Sequence, residues 1–230
     1  MYIITMLEDM VKIFVKNWDL FLIKGLTATI LLSLMTVFFG TVFGALLAFI
    51  KTSRIKPLKW VIDAMVEVIR GTPMLLQLYI STFLIPVIIP AMNDLENKKL
   101  ICISFTLILN SAAYVSEIIR SGIEAVDKGQ TEAARSLGLN GTTTMLEIVL
   151  PQAIKNILPA LGNEFITVIK ETSLASTFYV GELMTQYHII VGKTHNSLPI
   201  LMIIGVIYFV LNFVLSKLLG VFERRMKSHA

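Results

Sequence analysis

The chain is built from blocks of apolar residues, each long enough to cross a lipid bilayer, and nothing else in it restricts the fold so strongly. Crossing the hydrocarbon layer as a helix takes about 20 apolar residues. Backbone polar groups find no water there, so a spanning segment is either a helix or a strand of a closed barrel. The apolar runs are continuous rather than alternating, which argues against a barrel. Five spans can be drawn, at about 20–50, 58–85, 100–119, 154–178 and 198–222. Charged residues make up 16% of the chain, against about 25% in soluble domains. The reading is an all-α integral membrane protein with about five transmembrane helices, residues 1–230 forming a single transmembrane domain.

Two of these blocks carry internal marks. The first exceeds the length a bilayer needs, so it tilts or protrudes, and Gly40 and Gly44 on it form a small-xxx-small pair that permits close helix packing. The second is interrupted by Arg70-Gly71-Thr72-Pro73, where Gly and Pro predict a break. Ahead of the first span, Glu8, Asp9, Lys12, Lys16 and Asp19 are mixed in sign and no small-residue cleavage site follows. That segment reads as a surface helix with Met6, Met10, Ile13 and Phe14 at the membrane interface.

The basic residues set orientation. Lys51, Arg54, Lys56 and Lys59 lie in the first connection; Arg120, Lys128, Arg135 and Lys155 follow the third span; Lys217, Arg224, Arg225 and Lys227 close the chain. All three groups fall on one side of a five-span arrangement, and the other side has only Lys12, Lys16, Lys98, Lys99 and Lys193. The positive-inside rule puts the C-terminus and the 120–153 loop in the cytoplasm and the N-terminus outside.

Charge inside the membrane is the next constraint, since each such residue costs about 2.5–3.5 kcal/mol on insertion scales and therefore faces protein or water. On the fourth span Asn163, Glu164, Thr167, Lys170 and Glu171 fall at i, i+1, i+4, i+7 and i+8. At about 100° per residue they share an arc of roughly 120°. Such a stripe is either a water-filled pathway for a zwitterionic solute or an ion-pair network between helices. A weaker stripe on the third span holds Asn110, Tyr114, Glu117 and Ser121, with Glu117 and Arg120 spaced as an i, i+3 pair. Glu67 and Arg70 have the same spacing on the second span, and Gln77 lies two turns beyond. A broken helix at membrane depth is tolerated where it lines a cavity, which makes the Gly71–Pro73 break a gate or solute-site candidate.

Several chemistries are excluded. Gly192-Lys193-Thr194 resembles the end of a phosphate-binding loop, but Tyr187 stands where the first glycine is needed and no strand precedes it. His188 and His195 have no Cys or carboxylate at ligand spacing, so no metal site is expected. The single cysteine, Cys102, lies in an apolar run and excludes an intrachain disulfide. No basic block suggests nucleic acid, and no catalytic constellation is present.

The most informative polar segment lies between the third and fourth spans: Glu132-Ala133-Ala134, three residues, Gly138, nine residues, then Ile148-Val149-Leu150-Pro151. It resembles the EAA loop of permease subunits in bacterial ABC importers. Glu67-Val-Ile-Arg70-Gly-Thr-Pro73, Asn110-Ser-Ala-Ala-Tyr114-Val-Ser-Glu117-Ile-Ile-Arg120, Pro151-Gln-Ala-Ile-Lys-Asn156 and Pro159-Ala-Leu-Gly-Asn163-Glu-Phe resemble the polar amino-acid branch of that family, the histidine, glutamine and arginine permeases. The resemblance implies a type I importer permease in the bacterial cytoplasmic membrane, paired with a second permease subunit, a homodimer or a sister chain. It further implies two cytoplasmic ATPase subunits that bind ATP and Mg, and an extracellular solute-binding protein. The chain itself would be no enzyme and hold no cofactor. Family knowledge places a short helix beginning near Thr131 in a cleft of the ATPase, which would give Glu132, Ala133, Ala134 and Gly138 a docking role. In that setting Glu132 would sit in the first helical turn, Gly138 would end the helix in a left-handed cap, and Pro151 would open the next helix. The resemblance also implies that Asn163, Glu164, Lys170 and Glu171 hold the amino acid. Thr167, Arg70, Gln77, Tyr114 and Glu117 complete the candidate pathway. The competing reading is a stand-alone or ion-coupled amino-acid transporter or channel, which predicts internal repeats; none is found.

Overall fold

A computed structural model describes residues 2–51 and 55–227; Arg54 of the first basic connection and the side chain of Lys227 lie outside the described residues. Every element among the described residues is helical. Helix α1 (Tyr2–Trp18) runs into a π-helical turn, Asp19–Leu26, and on into α2 (Thr27–Lys51). Next come α3 (Lys56–Gly71), α4 (Met74–Ile88), a 3-10 turn at Pro90–Asp94 and the long α5 (Lys98–Glu124). The short α6 (Lys128–Ser136) precedes an unbroken run made of α7 (Gly141–Thr143), a π-helical segment (Thr144–Val149) and α8 (Leu150–Glu171). A 3-10 segment (Thr172–Phe178), α9 (Leu183–Thr194) and α10 (Ser197–Lys227) complete the chain.

Three stretches, Ile3–Lys51, Lys98–Glu124 and Ser197–Met226, are long and apolar enough to cross a membrane; α3 with α4 makes a fourth if the bent pair is taken as one span. The expected span at 154–178 is not among them. Lys155, Glu164, Lys170 and Glu171 dilute its apolar character, and the α-helix stops at Glu171. There the Thr172 hydroxyl donates to the Ile169 carbonyl (2.8 Å) and the Ser173 hydroxyl to that of Lys170 (2.6 Å). Such local bonds compete with the helical ladder, and the chain tightens to 3-10 geometry.

Three of the residues expected at the membrane interface instead hold the N-terminal helix on the bundle. Met10, Ile13 and Phe14 pack against a core of Phe21, Leu183, Ile190 and residues 200–204 of α10, and the Phe14 and Phe21 rings stack at 6.0 Å. The run kinks at Asn17 (φ −126°, ψ 22°), whose side-chain amide donates to the Ile13 carbonyl.

Helices α2 and α5 share the most extensive interface in the chain. They run parallel: Leu32 meets Ile103 and Leu107, Gly40 abuts Ser111 and Gly44 abuts Val115. A Cβ on Gly44 would lie 2.7 Å from the Val115 Cβ and 2.9 Å from the Ala112 carbonyl oxygen, so glycine is what lets the backbones meet. Helix α4 runs antiparallel to α5, through Ser81 with Thr106 and Gln77 with Asn110. Helix α8 is antiparallel as well, through Gly122 with Ile157 and Ser111 with Glu164. Helix α10 returns along α8, Leu219 against Gly162.

The break in the second block is a bend of 110° between α3 and α4. Pro73 has no N–H to give and drives Thr72 to extended backbone (φ −115°, ψ 146°). Gln77 closes the gap: its amide nitrogen donates to the Ile69 carbonyl (2.6 Å), the Thr72 carbonyl (3.1 Å) and the Thr72 hydroxyl (2.9 Å).

Candidate functional site

The α8 stripe is graded rather than uniform. Asn163 and Lys170, adjacent on the helical wheel, are exposed, while Glu164, Thr167 and Glu171 are half-buried. Glu164 accepts a 3.1 Å hydrogen bond from the Ser111 hydroxyl of α5. Lys170 forms no ion pair among the described residues. The stripe therefore has an acidic edge against α5 and an amide-and-ammonium edge turned outward. Among the described residues, the stripe's side-chain partner across helices is the Ser111 hydroxyl on Glu164.

Ion pairing is found elsewhere, around Glu117. Its carboxylate lies 2.6 Å from Lys51 of α2, 3.5 Å from Arg70 of α3 and 2.8 Å from Arg120 of α5. Lys51 also meets Asp63 at 3.3 Å, and Arg120 meets Glu124 at 2.6 Å. Glu67 is exposed, so the i, i+3 partner expected for Arg70 is replaced by Glu117 across the bundle. The Arg70 guanidinium also sits 5.3 Å from the Tyr114 ring centre, a cation–π distance. Arg70, Tyr114, Glu117 and Asn156 border a cavity of about 340 Å³. Gln77, bound to the α3–α4 break and accepting from Asn110 at 3.1 Å, is a staple of that break.

The loop helix starts earlier than the sequence suggests. Asp127 is the N-cap and accepts from the Gly129 N–H at 2.6 Å, so Glu132 falls in the second turn. The C-terminal end is as expected: Gly138 has φ +87°, its N–H donates to Arg135, and the Leu139 N–H donates to Ala134. This pair of bonds is the Schellman motif, which needs the left-handed conformation that glycine adopts freely. Ala134 is 4% exposed and faces the π-helical segment, while Glu132, Ala133 and Leu137 face outward. Pro151 does not open a new helix. It follows the π-helical segment within one run, where the wider register accommodates its missing N–H.

Sequence reading missed four contributors. Lys51 and Asp63 carried no signal beyond charge, and Ser111 lay inside the Asn110–Arg120 motif with no role assigned to it. Glu182 is fully buried at the N-terminus of α9, accepting from the Met184 and Thr185 backbone N–H groups and the Thr185 hydroxyl. Glutamate is a poor N-cap by propensity, so nothing in the sequence marks it.

Long apolar helices, a polar stripe and a capped loop helix together define the class of a multi-helix integral membrane protein. The chain belongs to the family of binding-protein-dependent transport system inner membrane components, whose model matches residues 40–228. It is 39% identical over 209 residues to the arginine transport system permease protein ArtQ of Bacillus subtilis (strain 168), covering 91% of this chain and 94% of that one. It is 36% identical to the L-cystine transport system permease protein TcyB of the same organism, covering 91% of each. The crystal structure of an amino acid ABC transporter with histidines superposes with a TM-score of 0.85 at 44% identity, over 92% of this chain and 96% of that one. An inward-facing MetNI methionine ABC transporter shares the fold, with a TM-score of 0.72 at 18% identity over 90% and 96%. The resemblance to ABC importer permeases is thereby borne out, and the stand-alone reading has no support.

Proposed function

We propose that this chain is the permease subunit of an ATP-driven importer of polar amino acids. It would pair with a second permease subunit, receive solute from an extracellular binding protein and dock two cytoplasmic ATPases that hold ATP and Mg. Five crossings, with the N-terminus outside and the C-terminus and loop helix in the cytoplasm, fit the alternating helix directions and the basic residues. The observation that carries the reading is the two-edged stripe on α8 joined by unbroken helix to the segment that α6 packs on. An α-amino acid has one ammonium and one carboxylate, and the stripe offers Glu164 and Glu171 to the first, Lys170 and Asn163 to the second, with Thr167 between. Arg70, Tyr114 and Glu117 border the cytoplasmic end of the pathway, and Gln77 holds the break beside it. Arginine and cystine, the solutes of the two relatives above, share that head group and are the solutes to try first.

The test is ATP-dependent uptake of labelled arginine, glutamine and cystine by proteoliposomes holding the permease, its ATPase and its binding protein. Uptake that persists without ATP, or no stimulation of hydrolysis by any of the three, would reject the reading. Glu171→Gln is expected to lower uptake about tenfold or more, the scale of one lost charged hydrogen bond, while the ATPase still copurifies. Wild-type uptake in that variant removes Glu171 from the solute site. Glu132→Ala is expected to cut solute-stimulated hydrolysis about tenfold, the scale of one lost interface anchor, with bilayer insertion intact. Undiminished stimulation would count against docking through this helix.

A further inference from the structure

Helix α3 carries an apolar face that the pathway and docking assignments above do not use. At about 100° per residue its five charged residues, Lys56, Lys59, Asp63, Glu67 and Arg70, fall within about 80°. Trp60, Val61, Ala64 and Val68 occupy the adjoining arc of about 100°. That apolar arc is bare in the chain: Trp60 is 76% exposed, Val61 58% and Val68 65%. The inner half of α3 is held by Asp63 on Lys51 and Arg70 on Glu117, and the 110° bend carries the helix across the end of the bundle. Its first turn therefore projects sideways from that end. Lys56 and Lys59 there are exposed and form no ion pair among the described residues.

We propose that α3 is a membrane-surface anchor for anionic phospholipid, with Lys56 and Lys59 on the headgroup phosphate and Trp60, Val61 and Val68 among the upper acyl carbons. Three observations select this occupant. A helix that leaves the bundle sideways at the end of a spanning helix meets the headgroup layer. Tryptophan beside lysine is the pairing that suits that layer, an amphipathic ring under a cation. Lys56 and Lys59 form no ion pair among the described residues, so an anionic headgroup meets uncompensated positive charge. The inference rests on membrane insertion, which family membership supplies, and not on the solute.

The chain has two tryptophans, so Trp18→Phe leaves Trp60 as its sole tryptophan. The full-length protein, with its partners where they copurify, is placed in vesicles of phosphatidylcholine and phosphatidylglycerol, with either lipid brominated near the headgroup, and the signal of the same preparation carrying Trp60→Phe is subtracted. Brominated phosphatidylglycerol is expected to quench Trp60 with an apparent preference of about fivefold per lysine. Lys56→Gln with Lys59→Gln is expected to return that preference to about one while Trp60 stays quenched by both lipids. Equal quenching by the two lipids in the Trp18→Phe parent would overturn the headgroup site. Absence of quenching by either would place Trp60 in water or against protein, a second copy included, and would overturn the anchor. Because the readout needs no ATP, solute or binding protein, a failure of uptake leaves this test intact.

Discussion

Replacing Glu117 by Gln is expected to destabilise the bundle by about 1–3 kcal/mol, between the scale of an exposed ion pair and that of a buried one. Three cations share this carboxylate, and each sits on a different helix. The side chain of Lys51 is only 8% exposed and that of Glu117 17%. Asp63 and Glu124 remain to hold Lys51 and Arg120, but Arg70 has no second acid within ion-pair distance among the described residues. The loss should therefore fall most heavily on the seat of α3. Thermal unfolding in detergent measures the effect, and a cycle with Arg70→Gln isolates the pair. A double variant no more stable than the sum of the two singles would show that Arg70 and Glu117 are energetically independent.

Gly44→Val is the second large effect. The first added carbon already overlaps Val115 and the Ala112 carbonyl oxygen, and a carbonyl on a helix backbone does not rotate away. Overpacking of this kind costs about 1–3 kcal/mol, and here the cost falls on the main helix interface, so a lower yield of folded protein is expected as well. Gly205→Ala is the control. Nothing lies within 4 Å of a Cβ at Gly205 in α10, so this change should be neutral or stabilise the helix by up to about 1 kcal/mol. Equal losses from both variants would mean that the α2–α5 contact is not what glycine protects.

Much of this was readable from residues alone, for definite reasons. Continuous apolar runs, the Gly40/Gly44 pair, the Pro73 break and the Gly138 cap are local, and local chemistry decides them. The polar arc from Asn163 to Glu171 follows from helical periodicity. Other features depend on what lies across the bundle. Arg70 reaches past Glu67 to Glu117 because the bend at Thr72–Pro73 turns α3 toward α5. Ala134 faces its own chain rather than outward because a π-helical segment packs beneath it. Met10 and Phe14 are covered by α10, more than 180 residues away in sequence. The Asp127 cap was visible in principle, since aspartate immediately before the first helical residue is a standard start signal, but Glu132 drew the boundary away from it.

The unbroken helix from Gly141 to Glu171 has a mechanical consequence. Gly122 presses on Ile157, where a Cβ would come within 2.3 Å of the side chain, and this contact can serve as a fulcrum. The arm from Ile157 to Gly141 is about 24 Å along the axis, and the arm to Glu164 about 10 Å. A stroke applied beside the loop helix would then reach Glu164 reversed in direction and reduced a little over twofold. Such gearing trades distance for force, so a wide swing in the cytoplasm becomes a small, strong displacement of the carboxylate from Ser111.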